Sequence, residues 1–252
     1  MGLSGQENAD KEMNFTYSSY NSLIELIGKH GYAISDYHSW NKHDRSVILR
    51  HDVDYDLNKA VRFAEFENNI GVTSTYFVLL TSPLYNALSK DGREAIIHIN
   101  SLGHCIGLHY DETCYDSNDQ IESNIIEEKE ILENIIGKPV DVFSMHRPSR
   151  EILDRDIEIT GMINCYSSEF FKDIKYISDS RRHWREPVEP IIEEEKFDKI
   201  QILTHAFWYD EVSVTIQEAV SSFVNDGNLQ RYNSMSENIT DLAKVMSLGE
   251  VR

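Results

Sequence analysis

Short apolar runs rich in β-branched and aromatic residues alternate with helical segments along most of this chain, and that order leaves few folds open. Strands are expected at 46–54, 73–80, 105–111, 140–145 and 200–207, with weaker candidates at 162–167 and 174–178. Helices are expected at 15–30, 57–70, 91–102, 121–136 and 212–224. Gly31, Gly71, Gly103 and Gly137 stand where four of those helices should stop. Strands alternating with helices imply a parallel sheet with crossovers. The chain of 252 residues is long enough for one large α/β domain with a substantial core. Residues 1–12 read as a flexible leader, 32–45 as a polar link, and 13–252 as a single domain.

The apolar runs end in an unusual way. In a parallel (β/α) arrangement the chemistry gathers at the C-terminal ends of the strands. Those ends carry Asp52 and Asp54, His109 and Asp111, His146 and Arg147, and His205. The first of them, SVILRHDVDYD from Ser46 to Asp56, is the most telling. Side chains on a strand alternate faces, so Arg50, Asp52 and Asp54 share one face while His51 and Val53 share the other. Two carboxylates on one face of a buried strand are costly unless a cation sits between them. Carboxylate oxygen and imidazole nitrogen are the donors that divalent metals take. His51 and His104 are not expected to be ligands, since one lies on the opposite face and the other in a turn.

Charge narrows the partners. Lys+Arg of 24 against Asp+Glu of 43 gives a net charge of -19, which disfavours nucleic acid and anionic membrane surfaces. Cys105, Cys114 and Cys165 show no CxxC spacing and read as free thiols. The first residues have neither a basic start nor an apolar run, and no segment approaches a membrane span, so a cytoplasmic protein is expected. Nothing in the sequence sets the oligomeric state.

The ordered set of strand ends resembles the polysaccharide deacetylase family (NodB homology, carbohydrate esterase family 4), and within it the divergent branch found with O-antigen biosynthesis genes. The motifs that carry the resemblance are His51-Asp52-Val53-Asp54, the run GHCIGLHYD with His109, Arg147-Pro148, DSRRHW with Asp179 and Trp184, and ILTHAFWY with His205. They lie within 46–210. The resemblance implies a distorted (β/α) barrel of about seven parallel strands. It implies a single divalent metal, zinc first, with nickel, cobalt or iron as other choices. The implied reaction is hydrolysis of an N-acyl group, usually acetyl, on a sugar. With no export signal in view, a nucleotide- or lipid-linked precursor of a surface polysaccharide is the expected partner rather than finished polymer.

Carried over motif by motif, Asp52 matches the family's general base and Asp54 its metal aspartate. His109 matches the first metal histidine. Arg147 matches the arginine that orients the base. His205 matches the general acid, and Asp179 the residue that tunes it. Trp184 matches an apolar wall for the acyl methyl, and Trp208 is a further substrate-contact candidate. Two departures stand out. Val53 separates aspartates that are adjacent in the family, so the roles of Asp52 and Asp54 could be exchanged. The position of the second metal histidine is Thr113, so a third ligand must come from His146 or Asp111. Two other readings stay open: a barrel that only binds carbohydrate, and a metal hydrolase of another class such as a phosphoesterase.

Overall fold

The computed structural model describes residues 14–251, so the 1–12 leader lies outside the described residues. The chain divides into two compact units, one running to Glu211 and the other from Val212 onward. Every strand among the described residues lies in the first unit.

That unit is built on a parallel sheet. Its strands are β1 (Ala33–Ser35), β2 (Ser46–Val53), β3 (Thr75–Val78), β4 (Cys105–Tyr110), β5 (Val142–Met145), β6 (Ile163–Asn164), β7 (Lys175–Ser178) and β8 (Lys199–Thr204). Seven of them run in the order β6-β5-β4-β3-β2-β8-β7, and β1 pairs with β2 off that path. All the pairings are parallel. The sheet curls into a half-barrel, open between β6 and β7, as a distorted (β/α) barrel should be.

β2 is the central strand, and each of its residues is buried. One of its edges is shared: β1 pairs with Ser46, Val47 and Ile48, and β3 takes over from Arg50 to Val53. β8 covers the other edge from Ser46 to His51. A strand with both edges paired and both faces covered reads as a continuous apolar run, and Val47, Ile48 and Leu49 are that run. On the inner face Ile48 packs with Phe77, Val142, Tyr37, Phe170 and Ile174. On the outer face lie α1 (Tyr17–Lys29) and α2 (Leu57–Asn69), whose Tyr20 and Phe63 rings sit 4.8 Å apart, with Phe63 edge-on to His51.

The helices begin and stop for local reasons. Thr16, Asp56 and Ser89 accept backbone N–H groups at the starts of α1, α2 and α3 (Lys90–Ser101). α4 (Ile121–Ile136) ends on Gly137, whose φ of 68° only glycine adopts freely. Two short helices, α5 (Arg150–Arg155) and α6 (Val188–Glu193), and the strand β1 fall in stretches that carry no periodic signal. In the second unit, α7 (Ile216–Asn238) starts later and runs further than the expected 212–224 helix, with a Thr215–Glu218 capping box at its start. α8 (Leu242–Val245) follows it. Among the described residues no helix is long and apolar enough to cross a membrane. Cys105, Cys114 and Cys165 are all free thiols.

Candidate metal centre

The C-terminal ends of β2, β4, β5, β7 and β8 converge on one cavity of about 480 Å3, within the roughly 300–1,000 Å3 range of small-molecule sites. Asp52 is the second-to-last residue of β2 and Asp54 lies just past its end. His109 is in β4. His146 and His205 each follow the final residue of their strand, β5 and β8. All five line the cavity.

Three of these side chains form a small triangle. His109 Nε2 lies 3.2 Å from Asp54 Oδ1, His146 Nδ1 lies 3.5 Å from the same oxygen, and the two ring nitrogens are 3.3 Å apart. Tetrahedral zinc with bonds of about 2.0–2.2 Å would place its ligands roughly 3.3–3.5 Å from one another. Asp54 Oδ1 is buried and has no well-aligned hydrogen bond, although both imidazoles are close. A buried acceptor without a donor is costly, and a cation would resolve it. The residues therefore fit a divalent metal held by Asp54, His109 and His146. Burial alone would raise the Asp54 carboxyl, but the neighbouring imidazoles outweigh it and hold it well below the usual carboxylate range.

Groups behind the triangle fix its rings. The β4–β5 register sets His109 beside Ser144, and His109 Nδ1 is 2.7 Å from Ser144 Oγ. With the ring proton in that bond, the Nε2 lone pair faces the centre of the triangle. The backbone N–H of His146 donates to the Tyr110 carbonyl at 2.7 Å, which holds the end of β5 against β4. Asp111 approaches the far nitrogen of His146, at 3.9 Å, instead of joining the triangle. Its Oδ1 accepts from the Thr113 N–H and hydroxyl, at 2.9 and 2.7 Å, and caps the short turn that follows β4.

Asp52 lies on one side, its Oδ2 3.6 Å from His109 Nε2. The guanidinium paired with it is that of Arg50, two residues earlier on the same face of β2. Arg50 Nη2 donates to both Asp52 oxygens at 2.6 and 2.8 Å, and Nε donates to Oδ1 at 3.2 Å. Arg50 is fully buried, with the Phe77 ring 4.5 Å and the Tyr166 ring 5.2 Å from its guanidinium carbon. Gly107 makes room for that ring, since a Cβ there would come 2.5 Å from Phe77. Arg147, expected to orient the base, takes a left-handed φ of 48° directly after β5 and lies exposed on the cavity wall near Tyr55.

His205 lies on the other side, its Nε2 3.6 Å from Asp54 Oδ2. Its Nδ1 is 2.6 Å from Asp179 Oδ1, and its backbone N–H donates to Asp179 Oδ2 at 3.1 Å. Asp179 follows β7, beside β8 in the sheet, and is wholly buried. Burial works against a charge on His205, but Asp179 overrides it, with smaller help from Asp54 and Asp52, and pushes the imidazolium pKa up to about 9. Trp184 and Trp208 are buried and neither is among the side chains lining the cavity; its apolar wall comes from Tyr55, Tyr166, Phe171, Tyr176 and Leu203.

A curled parallel half-barrel with an aspartate–histidine–histidine triangle at its strand ends thus defines the class of site. No protein-family model matches the chain, and no curated protein matches it. Among solved structures it is similar to a family 4 carbohydrate esterase from Bacillus anthracis, at 14% identity over 92% of this chain and 89% of that one, with a TM-score of 0.43. A family 4 acetyl xylan esterase from Clostridium thermocellum, solved in complex with a cobalt ion, matches at 16% over 75% and 84%, with a TM-score of 0.45. The catalytic domain of a peptidoglycan N-acetylglucosamine deacetylase from Eubacterium rectale matches at 14% over 73% and 84%, with a TM-score of 0.45. At that identity and TM-score, function rests on the site itself.

Proposed function

We propose that this protein is a metal-dependent hydrolase that removes an N-acyl group, acetyl in the first instance, from a sugar or sugar precursor in surface-polysaccharide synthesis. The observation that carries the reading is the triangle of Asp54, His109 and His146 flanked by a paired carboxylate and a paired histidine. A divalent ion there, with zinc the best fit to the donor set, would supply the Lewis acidity that polarises an amide carbonyl and acidifies water.

The chain's own residues divide the proton work. Asp52 stands beside the triangle and takes the proton of the attacking water as general base. Arg50 is a positioning residue: its guanidinium donates to both Asp52 oxygens and fixes their orientation. His205, on the opposite side, gives its Nε2 proton to the departing nitrogen, because an amine anion is too poor a leaving group to depart unaided. Asp179 positions His205, holding Nδ1–H so that Nε2 faces the cavity, and keeps the ring cationic near neutral pH. The aromatic wall receives the sugar and acyl methyl.

Metal content by elemental analysis, on protein purified without chelator and alongside His146→Ala, is the first test. About one transition metal per chain in the wild type, lost in the variant, is expected of a three-ligand site. Asp52→Asn should keep its metal and stop releasing acetate from N-acetylated sugars. No metal, even with zinc added, would leave a carbohydrate-binding barrel. Turnover of a generic phosphate ester without acetate release would make the protein a phosphoesterase.

A further inference from the structure

The cavity is lined by three acids and three arginines, and they are not matched to one another. Asp52 is neutralised by buried Arg50. Glu186 is held by Lys175, with both carboxylate oxygens at 2.7 Å. Asp54 belongs to the histidine triangle. That leaves Arg147, Arg181 and Arg185, all exposed and all on the cavity wall, with no carboxylate among the described residues within ion-pair distance. Arg147 and Arg181 also hold left-handed φ values of 48° and 62°, which residues other than glycine seldom adopt. Three unmatched guanidinium groups around one opening stand out on a chain with a net charge of -19.

We propose that Arg147, Arg181 and Arg185 form an oxyanion subsite, so that the sugar entering this cavity carries a phosphate or carboxylate besides its N-acyl group. The proposal rests on the deacylase reading for the acyl half of the substrate only. Guanidinium forks bind phosphate and carboxylate oxygens in bidentate fashion, which a neutral sugar cannot exploit. An acidic protein repels an anionic substrate at long range, and a local reversal of sign at the opening admits it.

Titration calorimetry of the metal-loaded protein with glucose, glucose 1-phosphate and glucuronic acid tests this at low ionic strength. At least one acid is expected to bind about tenfold or more tightly than glucose, with the advantage shrinking as salt is raised. Arg181→Gln/Arg185→Gln should abolish the preference, and whichever acid binds tighter assigns phosphate or carboxylate. Equal binding of the three sugars overturns the proposal. So does a preference that survives in the double variant, because the anion is then held elsewhere, by the metal itself. Should the double variant not fold, Arg181→Gln and Arg185→Gln taken singly decide, each losing part of the preference. None of the probes carries an acyl group, so this outcome stands apart from whether acetate release is seen.

Discussion

On the helix-facing side of β2, Glu67 has four hydrogen-bond partners; on the barrel side, Asp54 Oδ1 has none. Both clusters are histidine and carboxylate in buried surroundings, and both hang from neighbouring residues of one strand. Glu67 accepts from Tyr20 at 2.6 Å, His51 at 2.9 Å, Ser74 at 2.6 Å and Tyr76 at 2.8 Å. His51 Nδ1 meets Thr204 at 2.5 Å, a neighbour that the β2–β8 register supplies. His104 accepts from the Ser74 N–H and donates to the Ala64 carbonyl. Burial would push Glu67 up, yet His51 and the other donors bring it down to about 2. That is how this fold treats a buried carboxylate that has nothing further to hold. Asp54 is left short of a donor on the lining of the cavity. A matched cluster is structure, and an unmatched one beside a cavity is a place for a ligand.

The sharpest break of this contrast is His109→Ala. Metal content should fall to background and acetate release by about a thousandfold or more, while the outer cluster and the fold stay intact. Glu67→Gln is the mirror experiment. Urea unfolding should show a loss on the order of 3 kcal/mol with metal content unchanged, because a buried carboxylate that accepts four hydrogen bonds is exchanged for a neutral amide that cannot accept them all. The sign also follows for pH. A depressed carboxylate contributes stability above its unfolded value of 4.5, and that contribution drains away as pH falls from there toward 2; a wild-type stability profile flat across this window would contradict it. Next, His205→Gln should keep metal and fold but lower kcat by roughly 100-fold, the usual range for losing a general acid. Smallest is Ser144→Ala, which frees the His109 ring: zinc affinity should weaken by about 10- to 100-fold, read by competition with a chelating dye.

What could be read from the sequence follows from what is local. The alternation that put Arg50, Asp52 and Asp54 on one face is a property of any strand, so the barrel face of β2 was legible from residue order alone. The helix stops at Gly31, Gly71, Gly103 and Gly137 were legible too, and each has a positive φ. Registers between strands were not: Ser144 beside His109 and Thr204 beside His51 exist only once the sheet is assembled. Choosing His146 over Asp111 depended on the path of the chain after β5. Arg147 was singled out by resemblance, whereas the guanidinium on Asp52 was already visible two residues away as Arg50. Two of the rim arginines, Arg181 and Arg185, follow β7 on an irregular segment with no periodicity to read. β1 was hidden for the same reason within a polar stretch.

The paired edges of β2 set how this protein can change. With β1 and β3 on one side and β8 on the other, the strand has no freedom to slide. A single inserted residue before Arg50 would turn His51 toward the barrel and Asp52 toward the helices, exchanging the two clusters and spoiling both. Positions 50–54 therefore behave like a reading frame, tolerant of no shift. Arg181 and Arg185 sit on a loop that can be rewritten one residue at a time. New substrates should be acquired at the opening of the cavity, with the strand beneath left as it is.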